Sequence, residues 1–403
     1  MRNINHNKRK AICSICATLF LCTIGAQAAV SSPDPDNAAL LYYQAFLLRP
    51  QPDDATYHLL DAVLRGAEPD EKLREYLNLI ECRETIRIAE AATEIPQCSW
   101  GIMRSAGVYN LTLTTLFGQV RQLAFLLEVD ARTLAVDGEY LAALGRCLSI
   151  RRLAQHIADE AVLGYFVSMP LHGRAFLCIQ HVLGSMPPDR DTLIWLQGQI
   201  STVQGVPPPP GMAMEITLDD ALKFLRMHPE HLATWRENVS ELIEDESARQ
   251  EILSLTDEEL LERARDSYNS FLSSVNRVIG SDMPYQQKYL ELQELEEELE
   301  DHTVGDPVGI LRLFVWSNVV QQHDIYVRGI ANFNAVRAAV EIYIAKADTG
   351  QLPEMLPPHL PKDPFSGQDF EYEATSQGFV LRCREKEIGE ERVWEYEFVI
   401  AQR

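Results

Sequence analysis

Apolar residues recur at two spacings in this chain, and the change between them falls at Gly350. From Asn37 to Asp348 they follow the 3.6-residue period of amphipathic helices, as in Leu116, Val120, Leu123, Leu127 and Leu134. Beyond Gly350, Phe370–Ala374, Phe379–Cys383 and Trp394–Ile400 place apolar residues on every second position, with acids between several of them. That is the pattern of strands with one face on a core. The chain is therefore expected to be mainly α. It should form a helical array or bundle of αα-hairpins with a long C-terminal helix, and a small antiparallel sheet should pack on that helix.

Punctuation sets the expected elements. Helices are expected over 37–48, from Asp53-Asp54 to Leu64 with a stop at Gly66, and from Pro69 through Ala92 along Leu73, Leu77, Ile80, Glu84 and Ile88. Pro96 breaks the last of these. Further helices are expected over 108–136, 141–156, 160–183, 189–201, 218–227, 229–244, 257–279 and 284–301. Asp306-Pro307 reads as a cap followed by a first-turn proline, opening a helix that runs unbroken to Asp348, roughly 60 Å at 1.5 Å per residue. Val206-Pro-Pro-Pro-Pro210-Gly211 reads as stiff, extended and non-helical. The resulting division is 1–28, 29–205, 206–348 and 349–403. Leu292, Leu295 and Leu299 form a narrow stripe among acids, too short for a coiled coil.

The first 28 residues combine a basic head, a 15-residue apolar run from Ala11 to Gly25 and an Ala26-Gln-Ala28 end. This is the layout of a secretory signal peptide, with cleavage expected between Ala28 and Ala29. The run is short of the roughly 20 residues that span a bilayer, and no other stretch reaches that length. A periplasmic or secreted chain without a membrane span is expected. Cleavage removes four of the 36 basic residues and none of the 59 acidic ones, leaving 32 against 59, or −27. Charge of that sign disfavours nucleic acid. Of the five remaining cysteines, Cys147 and Cys178 lie on apolar helical stretches and read as small buried hydrophobes. Cys82 and Cys98 read either as a disulfide or as a pair of free thiols.

Asp137-Gly138-Glu139-Tyr140 and the helix after it resemble one tetratricopeptide hairpin, without a 34-residue repeat to extend it. Ala338-Ala-Val-Glu-Ile-Tyr343, Gly350-Gln-Leu-Pro353, Leu360-Pro-Lys-Asp-Pro-Phe-Ser-Gly367 and Phe370-Glu-Tyr372 resemble the C-terminal half of type II secretion pseudopilins. That resemblance implies a helix, a Gly-x-x-Pro turn, a loop and a short sheet. The family's Gly-Phe-Thr-Leu-Ile-Glu-type processing site and its acidic calcium loop are absent, so polymerisation and calcium binding do not follow. Asn37-Ala-Ala-Leu-Leu-Tyr-Tyr43, Cys98-Ser-Trp-Gly101 and the Asp-Pro-Phe-Ser-Gly tail are similar to a planctomycete-type family of uncharacterised exported bacterial proteins. This second resemblance implies export and a helical fold, and no chemistry.

Chemical motifs are scarce. The chain has no G-x-S-x-G elbow, P-loop, G-x-G-x-x-G or H-E-x-x-H. His228-Pro-Glu230-His231 is the one compact metal-like cluster, equally well explained as a solvated helix start. No catalytic residue and no cofactor is expected. The leading expectation is an exported non-enzymatic helical protein that serves protein interaction or envelope structure, with a protein or glycan partner in the envelope. Two alternatives stand beside it. One is an exported hydrolase or metal-dependent enzyme using His228, Glu230 and His231; the other is an accessory of a secretion or pilus-like machine.

Overall fold

Short polar caps start the first helices. In the computed structural model, which describes residues 35–102, 111–158, 161–202, 209–243, 246–301 and 318–401, four short helices come first: α1 (Ala38–Leu48), α2 (Asp54–Leu64), α3 (Glu71–Leu77) and α4 (Ile80–Thr93). Asn37, Asp53 and Asp70 each accept a first-turn backbone N–H, from Ala39, Thr56 and Leu73. Asn37 also pairs reciprocally with Ser99: its Nδ2 donates to Ser99 O and its Oδ1 accepts from Ser99 N, both at 2.9 Å. Trp100 then stacks on Tyr42 and donates its indole N–H to His156 O at 2.8 Å. The two distant segments quoted above, 37–43 and 98–101, are therefore one joint.

Three long helices follow: α5 (Leu111–Val136), α6 (Tyr140–Ala158) and α7 (Ala161–Ser185). Gly138, at φ +83°, supplies the left-handed residue that turns α5 into α6. α8 (Arg190–Thr202) comes next, and Asp189 accepts Thr192 N at its start. One core joins α1–α4 to one side of α5–α7 through Tyr42, Leu73, Cys82, Leu123 and Leu127. A second lies at the end of these helices near the α5–α6 turn, and Cys147, Cys178, Leu193, Leu196 and Tyr343 belong to it.

A further group comprises α9 (Pro210–Met227), α10 (Pro229–Leu242), α11 (Glu246–Ser254), α12 (Asp257–Ile279) and α13 (Tyr285–Asp301). Its own core contains Met214, Leu222, Trp235, Leu261, Phe271 and Leu292, closed by Tyr165 and Met169 of α7. A capping box fixes the start of α12: Thr256 and Glu259 exchange side-chain-to-backbone hydrogen bonds. Of the leucine stripe, Leu292 is buried in this core and Leu295 packs against it.

α14 (Val319–Thr349) begins in that core at Val319 and passes into the second core, where Val327, Ala331, Phe333 and Ile342 are buried. Gly350, at φ +78°, ends it. The sheet comprises β1 (Glu371–Ala374), β2 (Gly378–Arg382) and β3 (Glu395–Val399), antiparallel in the order β1-β2-β3. The register sets Tyr372 opposite Leu381, Phe379 opposite Phe398 and Leu381 opposite Tyr396. One face is thus apolar and buried. It docks on α14 through Tyr343, whose hydroxyl donates to Val399 O at 2.6 Å. It also docks on α7, where Phe176 meets Tyr396 edge-on at 5.5 Å and Gln180 donates to Glu397 O. Gly378 is obligatory, because a Cβ there would lie 1.9 Å from Phe398 O.

The protein is mainly α, with fourteen helices and one small sheet among the described residues. Four details depart from the sequence reading. The helix expected from Pro69 to Ala92 breaks at Leu79, which is extended at ψ 139°. The break changes the buried face: Cys82, Ile86 and Ala89 go inside, whereas Ile80 is 72% exposed. Pro210 and Gly211, expected in an extended segment, form the first turn of α9, where proline needs no N–H partner. The long helix does not run unbroken through 318: Asn318, at ψ 67°, is its cap and accepts Gln321 N at 2.9 Å. Residues 306–317 lie outside the described residues, as do 203–208 and the whole signal segment. α11 is an element that the sequence reading lacked. Cys82 and Cys98 are free thiols, the first buried and the second half-buried.

Candidate functional site

Charged side chains on apolar helices need partners, and here they collect along one cleft. Its volume is about 590 Å³, and it opens between α1, α2, α5 and α7. Arg49, Arg65, Arg132 and Arg174 line it together with Asp61 and Glu128. Four cations against two anions leave a local charge of +2, in a chain whose total is −23. Leu60, Leu64, Phe125 and Leu126 supply apolar wall, and Tyr57 and Leu177 stand at 57% and 53% exposure.

Glu128 lies one turn before Arg132 on α5 and is 2% exposed. Its two oxygens divide between Arg132, at 2.9 Å, and Arg174 of α7, at 2.7 Å. Arg174 also covers the Phe125 ring at 4.1 Å. One buried carboxylate thus fixes two guanidiniums and still leaves an excess cation. Arg65 is neutralised by Asp61 on the same helix face.

Arg49 differs from the others. It sits at the C-cap of α1, just before Pro50, and is 8% exposed. Its Nη2 donates to Gln119 Oε1 at 3.0 Å and to Gln122 Oε1. Its Nε is buried without a partner, and no carboxylate among the described residues pairs with it. Burial holds this guanidinium below its ordinary pKa. An arginine stays charged even so, leaving a desolvated cation facing an open cleft.

Pro170 and Gly173 of α7 line this cleft and also a second cavity of about 300 Å³ on the neighbouring face. Pro170 cannot donate to the preceding turn, and Gly173 has no side chain to fill the space. Arg151 and His172 border the second cavity, with Arg151 lying 3.9 Å from the Phe333 ring centre. Burial, reinforced by Arg151, pushes the His172 imidazole down to about 3.

The cluster singled out in the sequence does come together. Ligand atoms of His228, Glu230 and His231 lie within 4.8 Å of one another at the start of α10. His228 Nδ1 is 3.3 Å from Glu230 Oε1, and Phe224 packs against both imidazoles. Glu230 and His231 are exposed, and the cluster borders neither cavity. The Arg49–Glu128 constellation was absent from the sequence reading. Its visible trace is Glu128, Arg132 and Arg174 interrupting otherwise apolar helical stretches, where an unpaired charge is costly.

Fold and cleft together define a mainly helical chain with a sheet-capped long helix and an arginine-lined cleft. No family model matches the chain, and neither a curated protein nor a solved structure does. Among the described residues, no helix is long and apolar enough to cross a membrane.

Proposed function

We propose that this chain is an exported, non-enzymatic binding scaffold of the cell envelope, and that it holds a protein partner by a C-terminal carboxylate in the arginine-lined cleft. The observation that carries the reading is Arg49, a buried guanidinium with an unpartnered Nε and no carboxylate paired with it among the described residues. A carboxylate presents two oxygens to the planar donor fork of arginine, and such charge-assisted pairs are the strong ones. The apolar wall next to it suits the side chains that precede the carboxylate. A cleft of about 590 Å³ falls within the range of small-ligand sites. Export supplies the setting and rests on the basic–apolar–Ala-x-Ala layout of residues 1–28.

The test is calorimetric titration of the full chain with a tetrapeptide ending in Leu-Phe, carrying either a free or an amidated C-terminus. The free acid should bind, and amidation should weaken it at least tenfold, about 1.4 kcal/mol. Arg49→Gln should remove the difference between the two. Equal affinity of wild-type protein for both peptides rejects the carboxylate reading. Binding of a uronic-acid oligosaccharide but not the peptide would move the partner to the glycan class.

A further inference from the structure

Cys147 and Cys178 are both fully buried, on two helices that lie side by side. Because only two residues separate Ala158 from Ala161 while Cys147 meets Cys178, α6 and α7 run antiparallel. The two sulfurs face each other at 2.8 Å, within an ångström of the roughly 2.05 Å covalent bond. Both are free thiols here. Their neighbours in the second core are apolar, among them Leu144, Leu148, Ile179 and Val182. Burial, then the adjoining Cys178, pushes the Cys147 thiol well above its ordinary pKa.

We propose that Cys147 and Cys178 form a structural disulfide that pins α6 to α7 when the chain folds under oxidising conditions. In the step, the thiolate of one cysteine attacks a small-molecule or protein disulfide. This releases one thiol of the oxidant and leaves a mixed disulfide. The second thiolate then displaces the remaining half of the oxidant as a thiol. The two cysteines lose two electrons and two protons, and the oxidant's disulfide gains them. A thiol buried in the finished core reacts slowly, since only thiolate attacks. The bond therefore closes during folding, before α6 and α7 seal. Once closed it is shielded from reductants by the same core.

This inference does not depend on the carboxylate cleft, and its test does not depend on export. The full chain is unfolded and reduced, then refolded in a glutathione redox buffer. Remaining thiols are alkylated after unfolding without reductant. Peptide mass mapping should recover residues 147 and 178 in one linked pair, lighter by two hydrogen atoms and separated on reduction. The bridge closes a loop of chain from 147 to 178, so the oxidised form should melt higher than the reduced form, by on the order of 5 °C. Cys147→Ala should abolish both the linked peptide and the oxidant-dependent melting shift. Cys147→Ala and Cys178→Ala folding as the reduced wild-type chain does would separate the bond from mere packing. Recovery of both cysteines fully alkylated from correctly folded, oxidised protein overturns the proposal, as does pairing of either with Cys82, Cys98 or Cys383.

Discussion

Asp363 shows how much one side chain can organise and how little of that is written beside it. It is fully buried in the turn before the sheet. Its carboxylate accepts from Phe365 N at 2.9 Å, Ser366 Oγ at 2.6 Å and Arg384 N at 2.9 Å. The first two are local, and the Asp-Pro-Phe-Ser-Gly string makes them readable as an Asx-type turn. The third comes from 21 residues later and ties the turn to the segment after β2. Replacing Asp363 by Ala strands the buried backbone N–H of Phe365 and unties Arg384 N, and should cost about 3 kcal/mol in urea unfolding, with Asn recovering part of it. A loss below 0.5 kcal/mol would show that water replaces the carboxylate. Arg49 was unreadable for the complementary reason. Its environment is built by Gln119 and Gln122, about 70 residues away on α5, and no local pattern announces them.

Elements were more legible than their joints. Helix and strand types followed from apolar period, the bounds of α2 followed from Asp53 and Gly66, and the end of α14 followed from Gly350. The apolar stretch at 69–92 misled because two helices in different orientations can share one approximate period. The turn at Asn78-Leu79 has neither glycine nor proline to signal it. The polyproline run misled because proline is excluded from helix interiors but favoured in the first turn. The sheet was assigned to α14, and the structure adds α7 as a second support, since Phe176 and Gln180 hold β3. That double docking sharpens one expectation. Ending the chain at Gly350 removes Phe370, Phe379, Leu381, Tyr396 and Phe398, all at most 3% exposed. Burial of each such side chain contributes about 1.5–3 kcal/mol. The truncated protein should aggregate or bind a hydrophobic dye, exposing faces of both α7 and α14. A soluble truncation with an unchanged melting point would make the tail an appendage.

At the scale of the whole molecule, two electrostatic effects oppose each other as the solution is acidified. The chain carries −23 at neutral pH and has a sequence pI near 4.8, so protonation of surface acids relieves self-repulsion and favours the compact state. Buried histidines act the other way. Burial, with smaller contributions from Arg152, Arg151 and Lys288, lowers His156 to about 4, His172 to about 3 and His323 to about 4. Each titrates near 6.5 when unfolded. A depressed folded value means stability that is present above pH 6.5 and is lost as pH falls towards 4, because the unfolded chain takes the protons first. Asp324 opposes them: burial raises it to about 6 despite the Tyr285 hydroxyl donating to it at 2.7 Å. Its contribution is greatest below about pH 3.8 and is lost as pH rises through 6. Burial also raises Glu90 and Asp130 and lowers His181, but the three large histidine shifts outweigh the raised acids and leave a net loss of stability on acidification. Salt separates the two effects, because surface repulsion is screened while buried sites are screened much less. Urea unfolding in high salt should therefore show stability falling from pH 7 to pH 4.5. His156→Gln, which keeps an acceptor facing the Tyr42 hydroxyl now 2.9 Å from His156 Nδ1, should flatten that slope by roughly a third. Stability that rises steadily to pH 4.5 in high salt would mean that the buried imidazoles are protonated without unfolding.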